Sequence, residues 1–315
     1  MMTKSLQDLM RLMNFSRGSV AGMCLFVVAL FLPNVSWATH IVGGELTYRC
    51  LGNEQYEVTL MVYRDCNFGN PEADFDDPAS IGIFDSQGNL QIHLGSPENK
   101  GTLGQILIKF NPDDTIRISS DCFMEPDEGV CVHRTVYKDT VTLPFLEGGY
   151  QLVYQRCCRN QTLTNIVEPL ETGASFVAVI SEQALMECNS SPTFREWPPI
   201  FICVNQDLNY DHSAMDEDGD SLVYSLCTPF TGATKALPLP QPPSSPPYPD
   251  VIFRDPFSLD NLLGGTALAI DQTGRLTATP NTIGQFLVGI CVEEYRNGQL
   301  IGSTRRDFEY NVLDC

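Results

Sequence analysis

Basic residues are scarce in this chain: 19 lysines and arginines stand against 39 aspartates and glutamates, a net charge of −20. Such a balance repels polyanions, so nucleic acid and anionic lipid surfaces are poor partners and divalent cations good ones. Long hydrophobic runs are nearly absent as well. The one near the N-terminus, "VAGMCLFVVALFL", is too short, and too quickly broken by Pro33, to span a bilayer. Lys4, Arg11 and Arg17 precede it and Ser36 and Ala38 follow, so residues 1–38 read as a secretory signal and the mature chain opens at Thr39. Removing it discards three basic groups and one acid, which takes −20 to −22. Tryptophan is almost missing: only Trp197 belongs to the mature chain, and no glycan-stacking platform is evident.

Catalytic vocabulary is thin too. "THIVGGEL" at Thr39 looks like the start of a trypsin-like protease, which needs a base histidine, a buried aspartate and a nucleophile in an oxyanion loop. The four histidines (His40, His93, His133, His212) sit in no such setting, and no Gly-Asp-Ser-Gly-Gly stretch exists. "GDSL" at Gly219–Leu222 shares letters with a lipase motif, but here an acidic loop precedes Ser221 and a strand follows it. The expectation is a chain without an active site.

Cysteine, by contrast, is plentiful. Twelve are present, and eleven remain once Cys24 leaves with the signal. Without any Cys-x-x-Cys pair, this density in an exported chain reads as disulfides rather than zinc. The odd count leaves one thiol over, and Cys315, the last residue, is the natural choice.

Period-two alternation dominates the body of the chain, as in "YEVTLMVYR" (56–64), "GYQLVYQRC" and "GASFVAVI". Short strands punctuated by Gly, Pro, Asn and Asp predict an all-β protein built from β-sandwiches. One short helix is expected around "SEQALMEC". A boundary near Val204–Tyr210 divides the chain into units of residues 39–206 and 207–315. Within the second, "ALPLPQPPSSPPYPD" (236–250) cannot join central ladders and reads as an exposed polyproline-like spacer.

The sharpest local signal is "MDEDGDSL". Asp216, Asp218 and Asp220 share a face if the segment is extended, and Gly219 permits a bend. Hard oxygen ligands at this density suit Ca²⁺, with Glu293 and Glu294 completing the sphere. An EF-hand does not fit, since its glycine and glutamate positions fall on Ser221 and Cys227. Cys157 and Cys158 are adjacent, and strand neighbours point to opposite faces, so each is expected to find a separate partner.

Several stretches together resemble one family: "ATHIVGGELTYRCLGNEQYEVTLMVYRDC", "YQRCCRNQT", "DEDGDSLVYSLCTP" and "LLGGTALAIDQTGRLTATPNTIGQFLVGICVEEYRNG". They are similar to the N-terminal region of large secreted Bacteroidota surface proteins of the gliding-motility-associated, type IX secretion kind. The second unit also resembles cadherin-like, immunoglobulin-like sandwiches, whose Asp-x-Asp-Gly-Asp loop binds Ca²⁺. The resemblance implies further domains beyond Cys315 and a place outside the cell or on its surface, with other surface proteins or extracellular glycans as partners.

The expected disulfide scheme follows the loops. Cys122 with Cys131, and Cys188 with Cys203, bracket turn-rich excursions. Cys227 with Cys291 would bridge the two sheets of the immunoglobulin-like unit. Cys50 and Cys66 would each take one of Cys157 and Cys158, with Cys315 left unpaired or joined to further chain. The function expected is a non-enzymatic structural or adhesion protein; the alternative is the non-catalytic front module of a larger secreted enzyme.

Overall fold

Alternation becomes strand along most of the chain. The computed structural model describes residues 40–66, 74–95, 103–118 and 130–315; the expected signal, Cys24 and Cys122 lie outside the described residues. The first half forms β1 (Ile41–Gly52), β2 (Gln55–Asp65), β3 (Ala79–Asp85), β4 (Gln105–Ile108), β5 (Ile116–Ile118), β6 (Val132–Thr142), β7 (Tyr150–Arg156) and β8 (Ala174–Ile180). The expected helix follows as α1 (Glu182–Glu187), capped by the Ser181 hydroxyl, which accepts from the Ala184 N–H. Then come β9 (Thr193–Phe194), β10 (Phe201–Cys203), β11 (Leu208–Asp211), β12 (Ala214–Met215) and β13 (Ser221–Leu226). After the proline-rich stretch the chain ends in β14 (Thr266–Ile270), β15 (Arg275–Thr279), β16 (Gly284–Arg296) and β17 (Gln299–Leu313).

Two cores result. In β2, Tyr56, Val58, Leu60 and Val62 turn inward at every second position and meet Leu46, Ile81 and Leu152. Full burial of each such aliphatic side chain is worth ~1.5–3 kcal/mol. The second core gathers Phe286, Val288, Ile290 and Val292 of β16 with Leu268, Leu276 and Ala278 from the three-stranded sheet β11–β15–β14.

The cores change over between Ala184 and Phe194, but the backbone pairing does not stop there. The main sheet runs β4-β3-β7-β8-β17-β1-β2-β6-β5. One edge of β17 pairs with β16 along its length, and the other is taken in turn by β8 at 302–304, β1 at 306–307 and β10 at 311–313. The last strand therefore links the strands of both cores by backbone pairing, while its own core side chains, Phe308, Tyr310 and Val312, belong to the second. The division expected at 206/207 falls in the β10–β11 connection, while the chain from Trp37 to Cys315 clusters as one compact unit.

The proline-rich stretch is a strap rather than a spacer. Pro238 O accepts from the Cys157 N–H, and Ser244 donates twice to Gln155 Oε1 (2.8 and 2.7 Å). Pro243 is buried, and Tyr248 packs with Phe230 over Val153 and Val177. The composition that keeps prolines out of a ladder does not keep them off a sheet face.

Among the described residues five disulfides form, and most of the pairing scheme needs correction. Cys227–Cys291 pairs as expected, yet it joins neighbouring strands of one sheet: Cys227 follows β13, whose Ser225 lies opposite Cys291. Cys131 bonds to Cys66, not Cys122, because β2 and β6 are in register and Asp65 faces Val132. Cys188 bonds to Cys50, and Cys203 to Cys315, which the parallel β10–β17 pairing brings alongside. Cys157 and Cys158 bond to each other. The opposite-face argument fails there because β7 ends at Arg156, so neither cysteine is on a strand. Bracketing a loop in sequence was the wrong guide; register between strands decides which sulfurs meet.

Candidate functional site

The acidic segment lies between β12 and β13, beside the outer end of β16. It is not extended. Asp216 Oδ1 accepts from the N–H groups of Asp218 (3.1 Å) and Asp220 (2.8 Å), closing a turn in which Gly219 has φ 85°. That left-handed conformation suits glycine and costs other residues. Asp218 is consequently turned away, and its Oδ2 accepts from Ser190 N at 2.7 Å. The expected convergence of alternate residues is replaced by convergence of Asp216 and Asp220 alone.

β16 supplies the third carboxylate. Glu294 is fully buried, whereas Glu293, one residue earlier and so on the other face, accepts from Tyr295 Oη. Glu294 lies opposite Gly302 on β17, where a Cβ would overlap its Oε1. Oxygens of Asp216, Asp220 and Glu294 all come within 4.8 Å of one another. Of the five expected ligands, the structure thus brings together Asp216, Asp220 and Glu294, and places Asp218 and Glu293 elsewhere.

Arg296 was missed from the sequence, although two residues along a strand put it on the face of Glu294. Its fork donates from Nε and Nη2 to both oxygens of Asp220 (2.7 Å each), and Nη1 reaches Glu187 at 2.7 Å. Those bonds hold the guanidinium above its ordinary value. Nη2 also donates to Asn189 Oδ1, and Asn189 Nδ2 donates to Glu294 Oε1 at 2.8 Å. Asn189 is buried and committed to the cluster.

The electrostatics are unbalanced. Burial pushes the Glu294 carboxyl up to about 8, the Asp216 and Asp220 charges push the same way, and the Asn189 bond opposes them. Glu294 Oε2 and Asp216 Oδ2 are buried without a hydrogen-bond partner, as is the nearby Tyr48 Oη. An unmet buried polar atom costs ~1–3 kcal/mol, more when charged. Either a proton held between the two carboxyls or a cation relieves that cost. Asp220 already receives Arg296, so Asp216 and Glu294 are the primary oxygens for a cation, with Asp220 sharing. A cavity of about 590 Å³ lined by Tyr48, Ser190, Met215 and Asp216 gives access to this corner. Among the described residues the other grouping of ligand-type side chains, Cys66, Cys131 and His133, has its two sulfurs in a disulfide.

No family model matches the chain, and neither the curated proteins nor the solved structures contain a match.

Proposed function

We propose that this chain is a non-enzymatic structural or adhesion module of a secreted or cell-surface protein, and that its Asp216–Asp220–Glu294 corner takes Ca²⁺. The carrying observation is Glu294, a fully buried carboxylate with one oxygen unpartnered and two aspartates beside it. Three protein carboxylates leave most of the six to eight Ca²⁺ positions to water and backbone oxygens, which places affinity in the ~10⁻⁴–10⁻³ M range of extracellular modules. Among the described residues five disulfides suit an oxidising compartment, and no helix there is long and apolar enough to cross a membrane. The resemblance to gliding-motility-associated proteins favours a bacterial surface, reached through cleavage of residues 1–38.

Calorimetric titration of the mature chain with CaCl₂ tests the site. One equivalent should bind, and Glu294→Gln should abolish it while Asp218→Ala should not. Absence of saturable binding up to about 10 mM, ten times the weak end of that affinity range, overturns the Ca²⁺ assignment.

A further inference from the structure

A second cavity, about 470 Å³, lies on the outer face of β8 and β17 under the far end of the proline-rich strap. Val177 and Val179 form its floor, and Phe230 and Tyr248, with ring centroids 5.9 Å apart, contribute walls. Its size falls within the range of small-molecule sites. Arg305 of β17 enters it. The guanidinium carbon sits 3.6 Å from the Phe230 centroid, and Nη1 donates to the Thr228 carbonyl at 2.5 Å.

What Arg305 lacks is a counter-charge. Arg64, Arg156, Arg159, Arg296 and Arg306 each reach a carboxylate at 2.7–3.2 Å. Among the described residues no carboxylate forms an ion pair with Arg305, and none lines the cavity, in a chain with 39 acidic residues. Burial pulls the guanidinium below its ordinary value, and Asp307 and Asp250 act against that from a distance. A stacked, half-buried guanidinium with only a backbone acceptor is suited to pair with an anionic oxygen. One cation without a second favours a single negative charge, and the chain's overall −20 disfavours polyanions. Apolar and aromatic walls call for a ring or aliphatic body, while Gln87, Gln151 and Ser303 place polar groups around it.

We propose that the cavity under the proline-rich strap binds a small organic monocarboxylate carried on a ring or apolar body, its carboxylate paired with Arg305. The site is separate from the acidic corner, so binding is measured in chelator. Phenylacetate and D-galacturonate present the carboxylate on an aromatic ring and on a sugar; phenylacetamide and D-galactose are their neutral counterparts. By calorimetry on the mature chain, at least one acid should bind with Kd at or below about 1 mM, and its neutral counterpart about tenfold or more weaker. Arg305→Gln should lose the same factor, and Val179→Phe, which narrows the floor, should weaken binding with Arg305 intact. The acid-against-neutral contrast needs no variant, so a misfolded Arg305→Gln leaves the test standing. Neither acid saturating by about 10 mM, or neutral counterparts binding as well as the acids, overturns the proposal.

Discussion

Glu45 and Glu294 are both fully buried glutamates on long strands, and they differ only in company. Glu45 on β1 faces Arg306 on β17, whose Nε and Nη2 donate to its two oxygens at 2.9 and 2.7 Å. Arg306 is itself fixed by the Glu196 carbonyl and lies over the rings of Phe194 and Trp197, at 4.2 and 5.2 Å. Glu294 has one amide donor on one oxygen, none on the other, and two aspartates as neighbours. Burial of a carboxylate therefore says little about function by itself. What marks Glu294 as a candidate ligand is an unsupplied oxygen together with two aspartates beside it; Glu309 is also buried with one oxygen unpartnered, but among the described residues it belongs to no such group.

The sharpest way to test that distinction is to make Glu45 resemble Glu294. Arg306→Ala leaves a buried carboxylate without its fork and should cost ~3–5 kcal/mol in urea unfolding. Adding Glu45→Met should recover part of the loss, because an apolar pair no longer strands a charge. If Arg306→Ala costs under about 1 kcal/mol, the two glutamates are not in different electrostatic states after all.

Next in size is the response of Glu294 to a cation. Ca²⁺ at about a hundred times its dissociation constant should raise stability by ~2.7 kcal/mol. In chelator, Glu294→Gln should be neutral or stabilising, since it removes a buried group that cannot ionise comfortably, and it should erase the Ca²⁺ response. Identical melting midpoints with Ca²⁺ and with chelator in the native chain would place Glu294 beside Glu45 as a merely structural acid.

Features set by neighbours in sequence are legible in the letters, and features set by distant partners are not. All-β character was legible because it is written locally: β2 alternates Tyr56, Val58, Leu60, Val62 in the letters as it does in space. The acidic corner was half legible. "DEDGD" announced carboxylates, and Glu294 was named as a helper, but which acids converge depended on the Asp216 turn and on Gly302 making room across the strand pair. Arg296 could be placed on the face of Glu294 by strand alternation, but its pairing with Asp220, 76 residues away, could not, and Asn189 lies 105 residues from Glu294. The disulfides were least legible. Only strand register sets Cys66 beside Cys131 and Cys203 beside Cys315, and register is a property of the whole sheet.

A third buried titratable group extends the comparison to a cation. His212 packs between Phe194, Tyr210 and Phe308, and neither ring nitrogen has a partner. Burial first, and Arg306 second, push it down to about 2. The unfolded chain binds a proton below about 6.5 that the folded chain refuses, so stability falls as pH drops through that value. Between pH 6.5 and 5 the loss should reach ~1.6 kcal/mol, the slope steepening toward ~1.4 kcal/mol per pH unit. His212→Phe should flatten that part of the curve in urea unfolding. An unchanged slope would mean that the imidazole is protonated in the fold and has found a partner.

The smallest effect belongs to charges that water already satisfies. Lys235, where the chain enters the proline-rich strap, pairs with Glu171 at 3.2 Å, but both side chains are more than half exposed (61% and 55%). Such exposed pairs typically contribute only ~0.2–1 kcal/mol in double-mutant cycles. Lys235→Ala should leave the melting midpoint essentially unchanged and the strap in place, since the strap is held by Pro238 O and by Ser244 on Gln155. Gln155→Ala should release it instead, because Gln155 is buried, accepts both Ser244 bonds and donates to Ser175 Oγ. Hydrogen exchange at the Ser244 and Cys157 amides reads the difference. Faster exchange in Gln155→Ala and none in Lys235→Ala is the expected pair, and the reverse would mean that the exposed ion pair, not the buried amide, fastens the strap.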